Sequence, residues 1–280
     1  MAKIVGMLNS THVPAIGGAI AKGKQQDPYW KPWFDSFAPV HAWLAKIKPT
    51  TIVTFSNDHG LNFFLNAIPT FAIGTAPKFT SADEGWGIPV FSEYKGNEEL
   101  SWHIREGLHN AEIDMTTCQE MYLDHAITIP IELFWPAQEC PVKVVPILTN
   151  TILFPIPNAS RCEKMGKAVG AAIESWNAPD ERILVVGGGG LSHQLEGERA
   201  GHINKKFDLE CVDHLSSYDL EWFRKLTSED IVEVAGSQGL ELLNWISARS
   251  ASPAKMKEIH RFNHIPISNT SGTVLALETI

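Results

Sequence analysis

The feature that most restricts the fold is an alternation along the chain, in which short apolar runs rich in β-branched residues are separated by stretches of helical periodicity. The runs at 3–8, 51–56 (Thr51-Ile52-Val53-Thr54-Phe55-Ser56), 68–73, 142–148, 182–187 and 273–278 read as strands. Segments 36–47, 97–110, 125–134, 160–176, 208–216, 219–226 and 237–249 read as helices. In 97–110, Leu100, Ile104 and Leu108 recur every fourth residue, with Glu98, Glu99, Arg105 and Glu106 between them. Strands separated by helices predict an α/β protein with a mostly parallel central sheet flanked by helices. No Ser-, Gly- or Pro-rich linker and no shift in composition divides residues 1–280, so a single layered domain is expected.

Charge and cysteine usage narrow the partners. A formal net charge of −9 argues against a nucleic-acid surface, which needs clustered Lys and Arg. The pairs Lys22/Lys24, Lys205/Lys206 and Lys255/Lys257 are short, mixed with acids, and read as solvated faces. No stretch approaches the roughly 18 apolar residues of a membrane span, and the N-terminal Lys3–Leu8 segment is strand-like rather than a signal peptide. Cys118, Cys140, Cys162 and Cys211 form no C-x-x-C pair. They are expected to be free structural thiols in a cytoplasmic protein.

Ligands of open α/β sheets gather at the carboxyl ends of the strands, and four histidines fall near such positions. His12 follows the first strand in Ser10-Thr11-His12-Val13-Pro14, and His59 follows the second in Ser56-Asn57-Asp58-His59-Gly60. Each alone reads equally well as a satisfied loop histidine. As a pair on neighbouring parallel strands they would come within coordination range, with Asn57 or Asp58 orienting the His59 ring. His193 follows Gly187-Gly188-Gly189-Gly190-Leu191-Ser192, which has neither the phosphate-loop nor the dinucleotide spacing. A bare backbone there lets a ligand or strand come close and presents an acid–base group suited to neutral pH.

His125 opens an apolar helix behind Asp124, its expected N-cap. A helix N-terminus disfavours imidazolium, so a neutral, hydrogen-bond-donating ring is expected. Glu241 lies among Leu240, Leu242, Leu243 and Trp245. It is either a core-facing carboxylate that requires a partner or metal, or an exposed Glu sharing a face with Gln238. Two histidines and one carboxylate make the facial ligand set of non-haem Fe(II) oxygenases. Zinc hydrolysis competes on the same donors, so spacing alone leaves the metal open.

Longer stretches sharpen the reading. They include Ser10-Thr11-His12-Val13-Pro14-Ala15-Ile16-Gly17, Ile68-Pro69-Thr70-Phe71-Ala72-Ile73-Gly74 and Ala82-Asp83-Glu84-Gly85-Trp86-Gly87. Further along come Gly189-Gly190-Leu191-Ser192-His193-Gln194-Leu195, Gly236-Ser237-Gln238-Gly239-Leu240-Glu241 and His264-Ile265-Pro266-Ile267-Ser268-Asn269-Thr270. At these residues the chain resembles the class III (type II) extradiol ring-cleaving dioxygenases, the family of the catalytic β subunit of protocatechuate 4,5-dioxygenase. The resemblance implies Fe(II) held by His12, His59 and Glu241, and His193 as the acid–base histidine. His125 would be a second polar group at the ring and dioxygen site, and Ser268 and Asn269 would contact the ring substituent.

The implied reaction is extradiol cleavage of a catecholic aromatic acid by O2, with protocatechuate foremost and gallate, 3-O-methylgallate or another substituted catechol as alternatives. Gln238, where relatives usually carry Glu, the four-glycine loop, and Gly60-Leu61-Asn62-Phe63-Phe64 depart from the family pattern and leave the substrate open. The chain ends at Ile280, just after its last strand, without the extension of gallate-type relatives, so a small helical α subunit or a homodimer is the expected partner. Two other classes stand beside this one: a zinc-dependent hydrolase on the same ligands and a non-enzymatic metal-binding interaction protein.

Overall fold

A computed structural model describes residues 1–280 apart from Trp86, Pro89, Val90, Ser92, Ala137 and Gln138. Trp86, within the 82–87 stretch, therefore lies outside the described residues. The strands are β1 Lys3–Ser10, β2 Thr51–Ser56, β3 Phe71–Gly74, β4 Lys78–Ser81, β5 Tyr94–Lys95, β6 Thr116–Cys118, β7 Tyr122–Leu123, β8 Lys143–Thr149, β9 Arg182–Gly188, β10 Met256–Ile267 and β11 Thr270–Thr279. The helices are α1 Pro14–Ala21, α2 Lys31–Asp35, α3 Ala38–Ile47, α4 Glu98–Asn110, α5 His125–Phe134, α6 Ala159–Ser175, α7 Lys205–Ser217, α8 Leu220–Arg224, α9 Ser228–Ala235 and α10 Leu242–Ala251.

One sheet organises the molecule, with strand order β10-β11-β1-β9-β2-β8-β3-β6. The four central strands β1, β9, β2 and β8 run parallel, and β11, β10 and β3 add antiparallel pairs on either side. Both faces are covered, which is why these strands read as nearly continuous apolar runs. In β9, Ile183 and Val185 face the layer that holds α4, α6, α7 and α10, whereas Leu184 and Val186 face the layer of α1, α3 and α5. This is the α/β layered architecture expected from the alternation. No helix among the described residues is long and apolar enough to cross a membrane.

Two expectations change. β1 and β2 are not neighbours, because β9 runs between them, pairing Ser10 with Gly188 and Phe55 with Gly187. His12 and His59 therefore face each other across a glycine strand end. The segment expected as one helix over 237–249 is a 3-10 turn, Ser237–Glu241, followed by α10, all of whose residues are buried. Glu241 sits at that junction, aimed by the turn rather than by a regular helix face.

Candidate active site

A cavity of about 640 Å³ opens at the carboxyl ends of the central strands, lined by His12, His59, His125, His193, Glu241 and Ser268 among others. The rings of His12, His59 and His125 form a compact group, with centroids 5.4 Å apart for His12–His59 and for His12–His125, and 4.0 Å apart for His59–His125. Each offers a ring nitrogen, and these lie within 4.8 Å of one another, close enough to hold a metal ion.

Glu241 completes the cluster. Its Oε2 accepts the backbone N–H of Gly190 at 2.7 Å, and its Oε1 lies 3.2 Å from His12 Nε2 and 3.7 Å from His59 Nε2. Between the question of an exposed and a core-facing carboxylate, the answer is a buried one, 5 % exposed. The glycine run makes this possible. A Cβ at Gly189 would fall 2.6 Å from the Cβ of Glu241, and one at Gly188 would meet His12 Nδ1 at 3.2 Å. The first turn of α10 grips the same backbone, Asn244 Nδ2 donating to Gly188 O at 3.2 Å and Trp245 Nε1 to Gly189 O at 2.9 Å.

The carboxylates on the His59 and His125 rings are not those nearest in sequence. Asp58 accepts the backbone N–H groups of Gly60, Leu61, Asn62 and Phe63 and shapes the turn after His59. The carboxylate on the His59 ring is that of Asp124, whose Oδ2 meets His59 Nδ1 at 3.0 Å and accepts its backbone N–H at 2.9 Å. Asp124 Oδ1 meanwhile caps α5 through the N–H of Ala126, as expected of the residue before a helix. Asn57 reaches the centre itself, with Nδ2 3.1 Å from His59 Nε2 and 3.3 Å from Glu241 Oε1. Glu84, from the segment between β4 and β5, meets His125 Nδ1 at 2.6 Å and accepts its backbone N–H at 2.8 Å. Sequence reasoning missed Glu84 and the link from Asp124 to His59, because both contacts span a large separation along the chain.

His193 is held by its backbone: its N–H donates to Ala235 O at 2.7 Å and its C=O accepts from Gln238 N–H at 3.1 Å. Its ring nitrogens, both buried, have no hydrogen-bond partner among the described residues. Buried polar atoms are normally paired, so this ring is suited to meet a ligand. Gln238 accepts the N–H of Leu195 at 3.1 Å and steadies the loop that carries His193. Ser268 lines the cavity from the β10–β11 turn at φ 55°, and its N–H donates to Tyr29 Oη at 3.2 Å. Asn269, beside it, lies near Gly201 and does not line the cavity.

The electrostatics favour a cation. Burial opposes charge on His59, yet Asp124 and Glu241 outweigh it and raise the pKa of the ring to about 10, so the carboxylates around it welcome positive charge, a proton or, in its place, a metal ion. Burial equally opposes ionisation of Glu241, but His12 and His59 keep its carboxyl well below the usual carboxylate range. For His193, burial, opposed by Glu241 and reinforced by the three other histidines, keeps the ring below its ordinary value. Burial and His59 do the same for His125, against Glu84 and Asp124. Three carboxylates, Glu84, Asp124 and Glu241, thus converge on this group of imidazoles, and no Lys or Arg is among the described residues lining the cavity. Imidazole nitrogen with carboxylate oxygen suits Fe(II) as well as Zn(II), so the residues fit a first-row divalent metal.

Comparison with known proteins agrees with this geometry. Residues 6–274 match the family described as the catalytic LigB subunit of aromatic ring-opening dioxygenase. Gallate dioxygenase of Pseudomonas putida is 32% identical over 195 residues, covering 69% of this chain and 57% of that protein. The 2,3-dihydroxyphenylpropionate/2,3-dihydroxicinnamic acid 1,2-dioxygenase of Mycolicibacterium smegmatis is 33% identical over 164 residues, covering 57% of this chain and 48% of that one. The chain thus spans about half the length of these two relatives. In fold it resembles an uncharacterized protein of Escherichia coli K12, with a TM-score of 0.61 at 13% identity over 97% of this chain and 99% of the other. The chain belongs to the family of catalytic LigB-type subunits of aromatic ring-opening dioxygenases.

Proposed function

We propose that this chain cleaves the ring of a catecholic aromatic acid in the extradiol manner, using non-haem Fe(II) and placing both atoms of O2 in the product. One observation carries the reading: Glu241 Oε1 stands 3.2 Å and 3.7 Å from the Nε2 atoms of His12 and His59, in a cavity that also holds the His193 ring, whose nitrogens have no hydrogen-bond partner among the described residues. His12, His59 and Glu241 would hold the iron. When bound, Fe(II) supplies a shared coordination sphere for the two ring oxygens and O2, and favours ionisation of a ring hydroxyl.

The chain's own residues do the rest. Asp124 fixes the His59 ring, and the Gly190 N–H fixes the Glu241 carboxylate, so the two ligands are oriented before substrate enters. His193 takes the proton of a ring hydroxyl on a ring nitrogen and later returns it, a role suited to an imidazole that burial keeps neutral. The apolar side chains of Val13, Ile152, Phe154, Leu195 and Leu240 line the space around the ring, and Ser268 faces its substituent. The relatives' names support an aromatic acid with adjacent ring hydroxyls as substrate; within that class we rank protocatechuate 4,5-cleavage first and gallate or 3-O-methylgallate next. The expected second chain, a small helical α subunit or another copy, finds exposed apolar side chains in Phe64, Leu65, Ile152, Leu153 and Phe154.

The test is O2 uptake by anaerobically purified, Fe(II)-loaded protein given each of the three substrates in turn, with product absorbance followed. Stoichiometric uptake with a ring-opened product is expected. Uptake with none of them, even after co-expression with a candidate α subunit, would favour the zinc-hydrolase or binding alternatives.

A further inference from the structure

His125 lines the cavity, but the function proposed above does not say what it presents there. Glu84 decides that. Its side chain is 11 % exposed, and it touches His125 twice, Oε2 accepting the backbone N–H at 2.8 Å and Oε1 facing Nδ1 at 2.6 Å. A carboxylate only accepts hydrogen bonds, so the partner atom on the ring must carry the proton. Asp83 Oδ1 accepts the N–H of Gly85 at 3.0 Å, turning the backbone around Glu84. The His125 ring centroid lies 5.4 Å from that of His12 and 4.0 Å from that of His59.

We propose that Glu84 is the positioning residue of His125, locking its ring as the Nδ1–H tautomer so that Nε2 turns a lone pair, and not an N–H, toward the cavity. This reverses the donating ring expected from the helix N-terminus alone: the donor side is consumed by Glu84. His125 then accepts a proton or a hydrogen bond from a hydroxylated ligand, complementing His193 on the other side of the site. The same pattern recurs at His59, whose Nδ1 faces Asp124. Histidines backed by a carboxylate in this way have tautomer and ring orientation fixed together.

The inference rests on the proposed function only for what His125 does, and its test separates the two. Full-length protein labelled with ¹⁵N-histidine and loaded with diamagnetic Zn(II) is examined by long-range ¹H–¹⁵N correlation, with His125 assigned through His125→Asn. In the unmodified chain His125 should show a protonated Nδ1, and the isosteric Glu84→Gln, which offers one acceptor in place of two, should move the proton toward Nε2. A protonated Nε2 in the unmodified chain, or no change in Glu84→Gln, overturns the proposal. In turnover, Glu84→Gln should lower kcat by about 10- to 100-fold with KM little changed, and should add nothing in a His125→Asn background. Equal losses in both backgrounds would mark Glu84 as merely structural. The expected tautomer shift in a protein that turns over no catechol would leave the positioning role standing and reject the reaction.

Discussion

The backbone N–H of Gly190 donates to Glu241 Oε2 at 2.7 Å, and this bond turns the other carboxylate oxygen toward His12 and His59. The site is therefore built around a strand end without side chains. β9 separates the two strands that carry His12 and His59, and only glycine leaves room for the side chains of His12, His59 and Glu241 to meet above it.

Gly189→Ala tests that dependence. The new Cβ would sit 2.6 Å from Glu241 Cβ at a backbone φ of +105°, where L side chains are strained. Stability should fall by about 1–3 kcal/mol, and metal content per chain should fall with it. Thermal melts and elemental analysis check both; a variant with full metal content would show that the glycine is incidental.

Asp124→Asn separates two jobs of one side chain. Asn caps a helix as well as Asp does, so α5 should keep its stability. The charge that steadies His59 is lost, and metal affinity should drop by about 10- to 100-fold. Chelator competition measures this, and unchanged affinity would remove Asp124 from the metal's support.

His193→Ala leaves His12, His59 and Glu241 untouched. Metal and substrate binding should persist while kcat falls by about 10²- to 10⁴-fold, the usual share of a general acid–base group. Single-turnover kinetics with a separate binding titration distinguish the two effects. Full turnover would reject the assigned role.

Away from the site, stability should depend on pH through Glu163, which is buried and accepts from Lys167 Nζ at 2.6 Å and from Arg224 Nε and Nη2 at 2.6 and 2.7 Å. Arg224 holds this carboxyl below its usual value, against burial and with help from Lys167. A carboxyl depressed in the folded state contributes stability above its unfolded pKa, and that contribution is lost as pH falls through the folded value. Because Arg224 is exposed to solvent, screening keeps this contribution small. Melting of Glu163→Gln should lie below that of the parent at pH 7, and the two should converge under acid conditions. A gap that persists unchanged into strong acid would contradict the account.

Much of this architecture was legible in the sequence for definite reasons. Strands β1, β2, β8 and β9 announce themselves because burial on both faces demands continuous apolar residues, and His12, His59 and His193 stand where such strands end. β10 escaped notice because it is an edge strand in which His260, Arg261, Asn263 and His264 interrupt the apolar pattern. α1 was missed because Gly17 and Gly18 lower its helix propensity. α9 was missed although Thr227 and Asp230 form a capping box. The order of β1, β9 and β2, and the reach of Glu84 to His125, are tertiary facts that no local pattern encodes.

The most direct test of the central claim is turnover of the Fe(II)-loaded protein under ¹⁸O2, with the product analysed by mass spectrometry. The account predicts a ring-opened product carrying both labelled oxygen atoms, with the ring broken outside the two hydroxyl-bearing carbons. A product whose new carboxylate carries no label, or a ring broken between those carbons, would contradict it.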